Sequence, residues 1–128
     1  MLSAAREFTT GKIIAVLGCG GDRDAAKRPL MGAALSQGAD VALFTSDNPR
    51  SENPAAILRE MVSTLDVQEP SAIIEDRATA ISRAVSVANA GDTVLVLGKG
   101  HEQGQDIAGV ITPFDDRLVL ATAIEARQ

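Results

Sequence analysis

The sequence predicts a three-layer α/β fold, in which a mostly parallel sheet is covered by helices on both faces. Four short runs rich in Val, Ile and Leu do not alternate with polar residues, which is typical of strands buried on both faces. Segments with helical spacing separate these runs, and strands that alternate with helices usually form a parallel sheet. Aromatic residues make up only 2% of the 128 residues, so the core must consist mainly of aliphatic side chains.

The four apolar runs give the expected strands in chain order. They are Lys12–Gly18, Asp40–Ser46, Ser71–Glu75 and Asp92–Gly98. We expect all four in one sheet, and a further short strand within Gln105–Thr112. Together with the intervening helices, this order is that of a Rossmann-like domain.

Four helices are expected between and after these strands, at Asp24–Gln37, Pro54–Leu65, Arg77–Asn89 and Asp115–Ala126. Gly38 is a plausible C-cap of the first, and Asn53 followed by Pro54 is a natural start for the second. In the third, apolar residues recur with helical spacing at positions 78, 81, 85 and 88. In the last, positions 118, 119, 122 and 123 are expected to form one apolar stripe. The first ten residues resemble the end of a helix.

Composition excludes several classes of function. The length fits one domain, and a net charge of −5 with no basic run longer than Lys27-Arg28 disfavours nucleic-acid binding. The sequence contains no run of 18 apolar residues, so no membrane-spanning helix is expected. The N-terminus has no apolar signal-peptide core, so a cytoplasmic location is expected. The lone Cys19 excludes an internal disulfide.

Three polar loops follow three of the predicted strands, at residues 18–24, 46–50 and 98–102. Ligands of open α/β sheets bind at the carboxyl ends of the strands. The loops are therefore a candidate binding site, although loops of this kind can also merely turn the chain.

The first loop matches neither of two common phosphate-binding motifs. A G-x-G-x-x-G fingerprint fails because position 23 is Arg, and no G-x-x-x-x-G-K-[ST] motif is present. The loop can still offer main-chain N–H groups to an anion, with added charge from Lys27 and Arg28. Alternatively, it is a solvated first helical turn.

The other two loops favour a small charged ligand over a metal or a nucleophile. In Asp47-Asn48-Pro49-Arg50, an arginine that can grip a carboxylate follows an acid and an amide, which suits a zwitterion. The alternative is an Asx turn that begins the next helix. In the third loop, His101 beside Glu102 lacks a second His or Cys at ligand spacing. Cys19 is more plausibly a packed thiol than a nucleophile.

Taken together, five stretches resemble the Mur ligases, and specifically the C-terminal, amino-acid-binding domain of the members that add diaminopimelate. The resemblance runs from about residue 11 to the end. The stretches are GCGGDRD (18–24), KRPLMG (27–32), SDNPRSENP (46–54), GKGHE (98–102) and FDDR (114–117).

This resemblance implies an ATP-dependent amide ligase of peptidoglycan synthesis. In that reaction ATP phosphorylates the D-glutamate side-chain carboxylate of UDP-MurNAc-L-Ala-D-Glu. The amino group of meso-diaminopimelate then attacks the acyl phosphate, and ADP and phosphate leave. ATP and Mg²⁺ are implied to bind mainly to a central domain outside this sequence. The alternative is a standalone, non-catalytic amino-acid-binding module, whereas a folylpolyglutamate-type or other Mur-type ligase is disfavoured by Arg50, which implies a second carboxylate on the amino acid.

The resemblance also implies roles for individual residues. Asn48 and Arg50 match residues that contact diaminopimelate, with Arg50 on its distal carboxylate, and Asp47 helps to shape the site. Further implied roles belong to Arg23 (the other end of the ligand), Gly98 and Glu102 (its distal ammonium and carboxylate region), His101 (supporting), and Asp22 and Lys27 (facing the nucleotide).

Residues 1–128 are expected to form a single domain. The first strand of such a domain, its DYAHTP-like segment, and the preceding ATPase and UDP-binding domains do not occur in this sequence. We therefore assign no catalytic residue and no metal ligand, and expect the isolated chain neither to hydrolyse ATP nor to form the amide.

Overall fold

A computed structural model describes residues 2–19, 25–48, 51–97, 104–107, 110–113 and 115–127. A single 3-10 turn, Ala25–Lys27, precedes the second helix. The elements in chain order are α1 (Leu2–Phe8), β1 (Ile13–Cys19), α2 (Arg28–Gly38), β2 (Val41–Ser46), α3 (Pro54–Met61), β3 (Ala72–Ile73), α4 (Arg77–Val87), β4 (Thr93–Leu97), β5 (Gly104–Ile107), β6 (Val110–Pro113) and α5 (Asp116–Arg127).

The four predicted strands lie in one parallel sheet of order β3-β2-β1-β4, as expected. The two central strands are buried on both faces throughout. The edge strands are not: every residue of β4 is half-buried, and Ile73 in β3 is 48% exposed. β3 also has only two of the five expected residues.

The predicted three layers are confirmed by how side chains alternate along the central strands. Ile14 and Val16 of β1 point to a cluster that contains residues of α4 and α5. Ala15 and Leu17 point to the opposite cluster, which contains residues of α2 and α3. Helices α2 and α3 approach closely, because a Cβ added at Gly32 would lie 1.8 Å from the Met61 carbonyl oxygen.

Several helix boundaries differ from the prediction. α2 ends at Gly38, but the cap residue is Ala39 in an extended conformation and not a left-handed glycine. Among the described glycines, only Gly91 has a positive φ, of 90°. α4 stops at Val87, two residues early, with Ala88 as its cap. The predicted start of α3 is confirmed, since the Asn53 side chain accepts from the main-chain N–H groups of residues 55 and 56.

The expected apolar stripe of α5 is rotated. Leu118 is 67% exposed and Thr122 is exposed, whereas Val119 and Leu120 pack on the core and Ala123 is buried. Positions 118, 119, 122 and 123 span two adjacent faces of α5. The face that packs against α4 carries residues 119, 120 and 123.

The last expected strand is instead a hairpin. β5 and β6 pair antiparallel in a separate two-stranded sheet, with Gly104 opposite Pro113 and Ile107 opposite Val110. The prediction of one strand within Gln105–Thr112 was therefore wrong in this respect, and the two residues between β5 and β6 lie outside the described residues. Within the described residues, no helix has the length and apolarity that crossing a membrane requires.

Candidate functional site

The predicted polar loops begin where β1, β2 and β4 end. The last residues of these strands are Cys19, Ser46 and Leu97. Because the strands are parallel, all three residues lie at one edge of the sheet, which we call the carboxyl edge. Cys19 and Ser46 are direct register partners. Ligand sites of open parallel sheets form at this edge.

The structure describes three of the nine predicted site residues. Asp47 and Asn48 lie directly after β2, and Lys27 lies exposed at the end of the 3-10 turn before α2. Six fall outside the described residues, so their grouping in one cleft stays a prediction; they are Asp22, Arg23, Arg50, Gly98, His101 and Glu102.

The start of the second loop is packed into the domain. Asp47 and Asn48 are only 8% and 6% exposed. The Gln105 side chain donates from Nε2 to the Asp47 carbonyl oxygen at 2.9 Å, which ties the loop to β5. On the other side β1 comes very close, because a Cβ at Gly18 would lie 2.6 Å from the Asp47 main-chain nitrogen. This glycine therefore has a packing role at the site edge.

The Asx-turn alternative for this loop does not account for the next helix. The oxygen that caps α3 belongs to Asn53, whose Oδ1 accepts from Ala55 N at 2.8 Å and Ala56 N at 3.3 Å. The side-chain cap of α3 therefore comes from Asn53.

Arg28, suggested above as added charge for an anion at the first loop, is paired with carboxylates among the described residues. Its side chain is 2% exposed and forms a two-pronged ion pair with Glu52, at 3.0 and 2.7 Å. A second pair joins it to Glu60. The hydrogen bond to Glu52, aided by that to Glu60, raises the pKa of Arg28 above its ordinary value. The guanidinium instead connects the start of α2 to the segment that follows the SDNPR loop.

A second buried arginine lies under the carboxyl edge. Arg77, the first residue of α4, is 0% exposed and pairs with Asp116, the first residue of α5. It also donates to the carbonyl oxygens of Ser46 and Leu97, each at 3.1 Å. The sequence analysis missed both members of this pair. The only signal in the sequence was that Asp116 belongs to the FDDR stretch. Arg77 gave no signal, because residue type does not show whether an arginine is buried.

An open groove of about 330 Å³ lies beside the ends of β2 and β3. Ser46 contributes a buried hydroxyl that has no hydrogen-bond partner among the described residues. Two acidic residues on the wall favour a ligand with a cationic group. The described lining residues are Ser46, Pro54, Glu75, Asp76 and Gln105.

Cys19 is a packed thiol, as the sequence favoured. It is 5% exposed, and its Sγ lies 3.8 Å from the Met31 sulfur. Burial raises the pKa of this thiol to about 11, so that it is protonated near neutral pH and is a poor nucleophile. Within the described ranges, no cluster of three or more His, Cys, Asp or Glu residues could hold a metal ion.

The fold is that of an open α/β domain, a class of protein that binds its ligands at the carboxyl edge of the sheet. Comparison with known families makes this more specific: the chain belongs to the Mur ligase family, because residues 1–100 match the model described as Mur ligase, glutamate ligase domain.

Individual relatives agree with this family. A UDP-N-acetylmuramoyl-L-alanyl-D-glutamate–2,6-diaminopimelate ligase from Streptomyces coelicolor is 58% identical over 100% of the chain and 26% of the relative. A ligase of the same name from Chelativorans sp. is 50% identical over 99% of the chain and 26% of the relative. A solved structure of a ligase of this name superposes with a TM-score of 0.93 at 42% identity, covering 98% of the chain and 26% of its own. The chain thus spans about a quarter of the length of these relatives.

Proposed function

We propose that this chain is the amino-acid-binding domain of an ATP-dependent ligase that adds meso-diaminopimelate to UDP-MurNAc-L-Ala-D-Glu in peptidoglycan synthesis. The observation that carries the proposal is the burial of Asp47 and Asn48 at the end of β2. It fixes the root of the SDNPR loop at the ligand-binding edge of a domain whose relatives bear that ligase name.

The charges of the second loop suit this amino acid. Diaminopimelate carries an ammonium and a carboxylate at each end, so a binding site must match two zwitterionic groups. We assign Arg50 to the distal carboxylate, because a guanidinium grips a carboxylate with two parallel hydrogen bonds. Asn48 offers its amide beside it, and Asp47 holds the loop through its main chain, which Gln105 and β1 support.

The remaining ligand contacts are assigned to the two flanking loops. Arg23 is proposed to bind the end of the ligand opposite Arg50. Gly98 and Glu102 are proposed to receive the distal ammonium and carboxylate region, with His101 in a supporting position. A carboxylate such as Glu102 is the natural partner of an ammonium group.

We assign Asp22 and Lys27 to the side of the site that faces the nucleotide. The amine of Lys27 is exposed beside the first loop and suits a phosphate, whereas Arg28 is already neutralised by Glu52 and Glu60. The described residues hold no cluster that fits Mg²⁺, and the sequence has no motif for a triphosphate. In this proposal ATP and Mg²⁺ bind mainly to a central domain outside this chain, and no catalytic residue or metal ligand is assigned here. ATP supplies the phosphoryl group, and the cytoplasm, where ATP is available, is the proposed location.

A chimera tests this proposal. The chain would be exchanged for the matching quarter of the Streptomyces coelicolor relative, and ADP release would be measured with each substrate omitted in turn. We expect turnover that requires meso-diaminopimelate, and a product heavier by one diaminopimelate residue by mass spectrometry.

The chain alone is the matched control. We expect it to release no ADP. A chimera that folds but is inactive, combined with calorimetric binding of meso-diaminopimelate to the chain alone, would instead establish a standalone binding module.

A further inference from the structure

Arg77 makes four hydrogen bonds to three separate parts of the chain. Nε and Nη2 donate to the two carboxylate oxygens of Asp116 at 2.8 and 2.7 Å. Nη1 donates to the Ser46 carbonyl oxygen and Nη2 to the Leu97 carbonyl oxygen, both at 3.1 Å. The side chain is 0% exposed, so water does not compete for these bonds.

Each of these partners directly precedes, or belongs to, a stretch that the sequence singled out. Ser46 is the last residue of β2, before the loop that carries Arg50. Leu97 is the last residue of β4, before the GKGHE loop. Strand β1 lies between β2 and β4, so these two strands do not hydrogen-bond to each other. One guanidinium therefore connects the ends of two strands that are not neighbours in the sheet.

A buried ion pair is an inefficient way to gain stability. The loss of hydration of two charges is often as large as their attraction, and apolar side chains of similar size can be as stabilising. A guanidinium does offer a rigid, planar fork of donors that fixes the positions of several acceptors at once. Arg77 thus fixes the positions of several hydrogen-bond acceptors, which an apolar side chain of similar size could not do.

We propose that Arg77, held by Asp116, is a positioning residue that sets the separation between the ends of β2 and β4, from which the SDNPR and GKGHE loops begin. This inference rests on the proposed function. An amino acid that both loops must bind is sensitive to the separation of the two strand ends, whereas ATP, which in this proposal faces Asp22 and Lys27 and binds mainly outside this chain, is less so.

The test uses the chimeric ligase with two variants. Arg77→Met combined with Asp116→Leu removes the fork without leaving an uncompensated buried charge, and Arg77→Lys keeps the charge but not the fork. We expect both variants to lose roughly 10- to 100-fold in kcat/KM for meso-diaminopimelate, mostly through KM, because displacements near 1 Å have effects of this size. The KM for ATP should change less than about twofold.

A matched control separates positioning from loss of stability. Val41→Ala lies at the opposite end of β2, is buried like Arg77, and weakens the core without touching the carboxyl edge. All variants are assayed below their melting temperatures. The inference is overturned if the double variant, or Arg77→Lys where the double variant does not fold, shows the same KM for diaminopimelate as Val41→Ala. A parent chimera that does not use diaminopimelate at all would contradict the proposed function instead.

Discussion

The amino edge and the carboxyl edge of the central sheet, where the parallel strands begin and end, expose different main-chain groups and pair them with side chains of opposite charge. Parallel strands leave N–H groups free at their amino ends and C=O groups free at their carboxyl ends. At the amino edge, Asp40 accepts from Ile13 N at 2.8 Å, and Asp92 accepts from Lys12 N at 2.8 Å. At the carboxyl edge, the donor is Arg77, which bonds the carbonyl oxygens of Ser46 and Leu97.

The edges differ most in burial. The amino-edge pair of Arg6 and Asp40 is 47% and 41% exposed, so water can replace a lost partner. The carboxyl-edge pair of Arg77 and Asp116 is 0% and 8% exposed. The same kind of contact should therefore have little effect on stability at the amino edge and a large effect at the carboxyl edge.

The largest expected effect is at Arg77. Arg77→Ala leaves Asp116 buried without its partner and should lower the free energy of unfolding of the chain by about 3–5 kcal/mol. Arg6→Ala at the amino edge is the matched control and should cost about 0–1 kcal/mol. Urea unfolding followed by circular dichroism measures both. Equal losses would show that the two edges do not differ in this way.

This comparison also shows what the sequence could predict. The central strands and the three layers follow from apolar periodicity, which depends on local composition, and both were confirmed. The Arg77–Asp116 pair joins residues 39 positions apart, and no local pattern reports whether their charges are buried. The predicted length of β3 and the predicted apolar stripe of α5 were wrong in part for the same reason, because contacts with residues distant in the sequence determine both.

Cys19 provides a second measure of burial at the carboxyl edge. Its pKa of about 11, raised from 9.0 by burial, lowers the thiolate population near neutral pH by roughly 100-fold. We expect iodoacetamide to alkylate the folded chain at least that much more slowly than the urea-unfolded chain, as measured by mass spectrometry. Because this is the only cysteine in the sequence, each modified molecule reports on this site. A native rate within a few-fold of the unfolded rate would mean that the edge opens readily.

Substitution of Arg50 tests whether a residue at the carboxyl edge determines which amino acid the ligase selects. In the chimeric ligase, Arg50→Ala should reduce the preference for meso-diaminopimelate over lysine by about 10–150-fold, because a charge-assisted hydrogen bond contributes roughly 1.5–3 kcal/mol. Most of the loss should appear in KM if the contact is equally strong in the ground and transition states. Arg59→Ala, which removes an exposed arginine from α3, is the matched control. An unchanged preference would indicate that Arg50 is a turn residue.

The site was less predictable than the fold. Motifs identified the loops, and the structure places the root of the second loop, Asp47 and Asn48, at the expected edge. The ion pairs of Arg28 could not be predicted from its neighbours in the sequence, because its partners, Glu52 and Glu60, lie 24 and 32 positions away. Charge at a helix start indicates an anion site only where no carboxylate from elsewhere in the fold already neutralises it.

The smallest expected effects are at the amino edge and depend on pH. The hydrogen bond from Ile13 N, with one from Arg6, lowers the pKa of Asp40, and the bonds from Lys12 N and Asn89 N lower the pKa of Asp92. A carboxyl whose pKa is lower in the folded chain stabilises the fold at pH values above its unfolded pKa, near 4. That stabilisation is lost as the pH falls through the folded pKa.

Asn substitutions at these two positions should therefore remove part of the acid sensitivity of the chain. Asp40→Asn and Asp92→Asn retain an oxygen acceptor but lose the charge, so we expect a small drop in stability near neutral pH and a flatter decline below about pH 4. Asp66→Asn is the control, because this exposed carboxylate accepts from a side chain, Gln68, rather than from a strand end. Urea midpoints measured from neutral pH to pH 3 would compare the three variants. If the amino-edge variants decline as steeply with acid as the parent and the Asp66 variant do, main-chain hydrogen bonding at this edge does not depend on charge, and the two edges differ in burial alone.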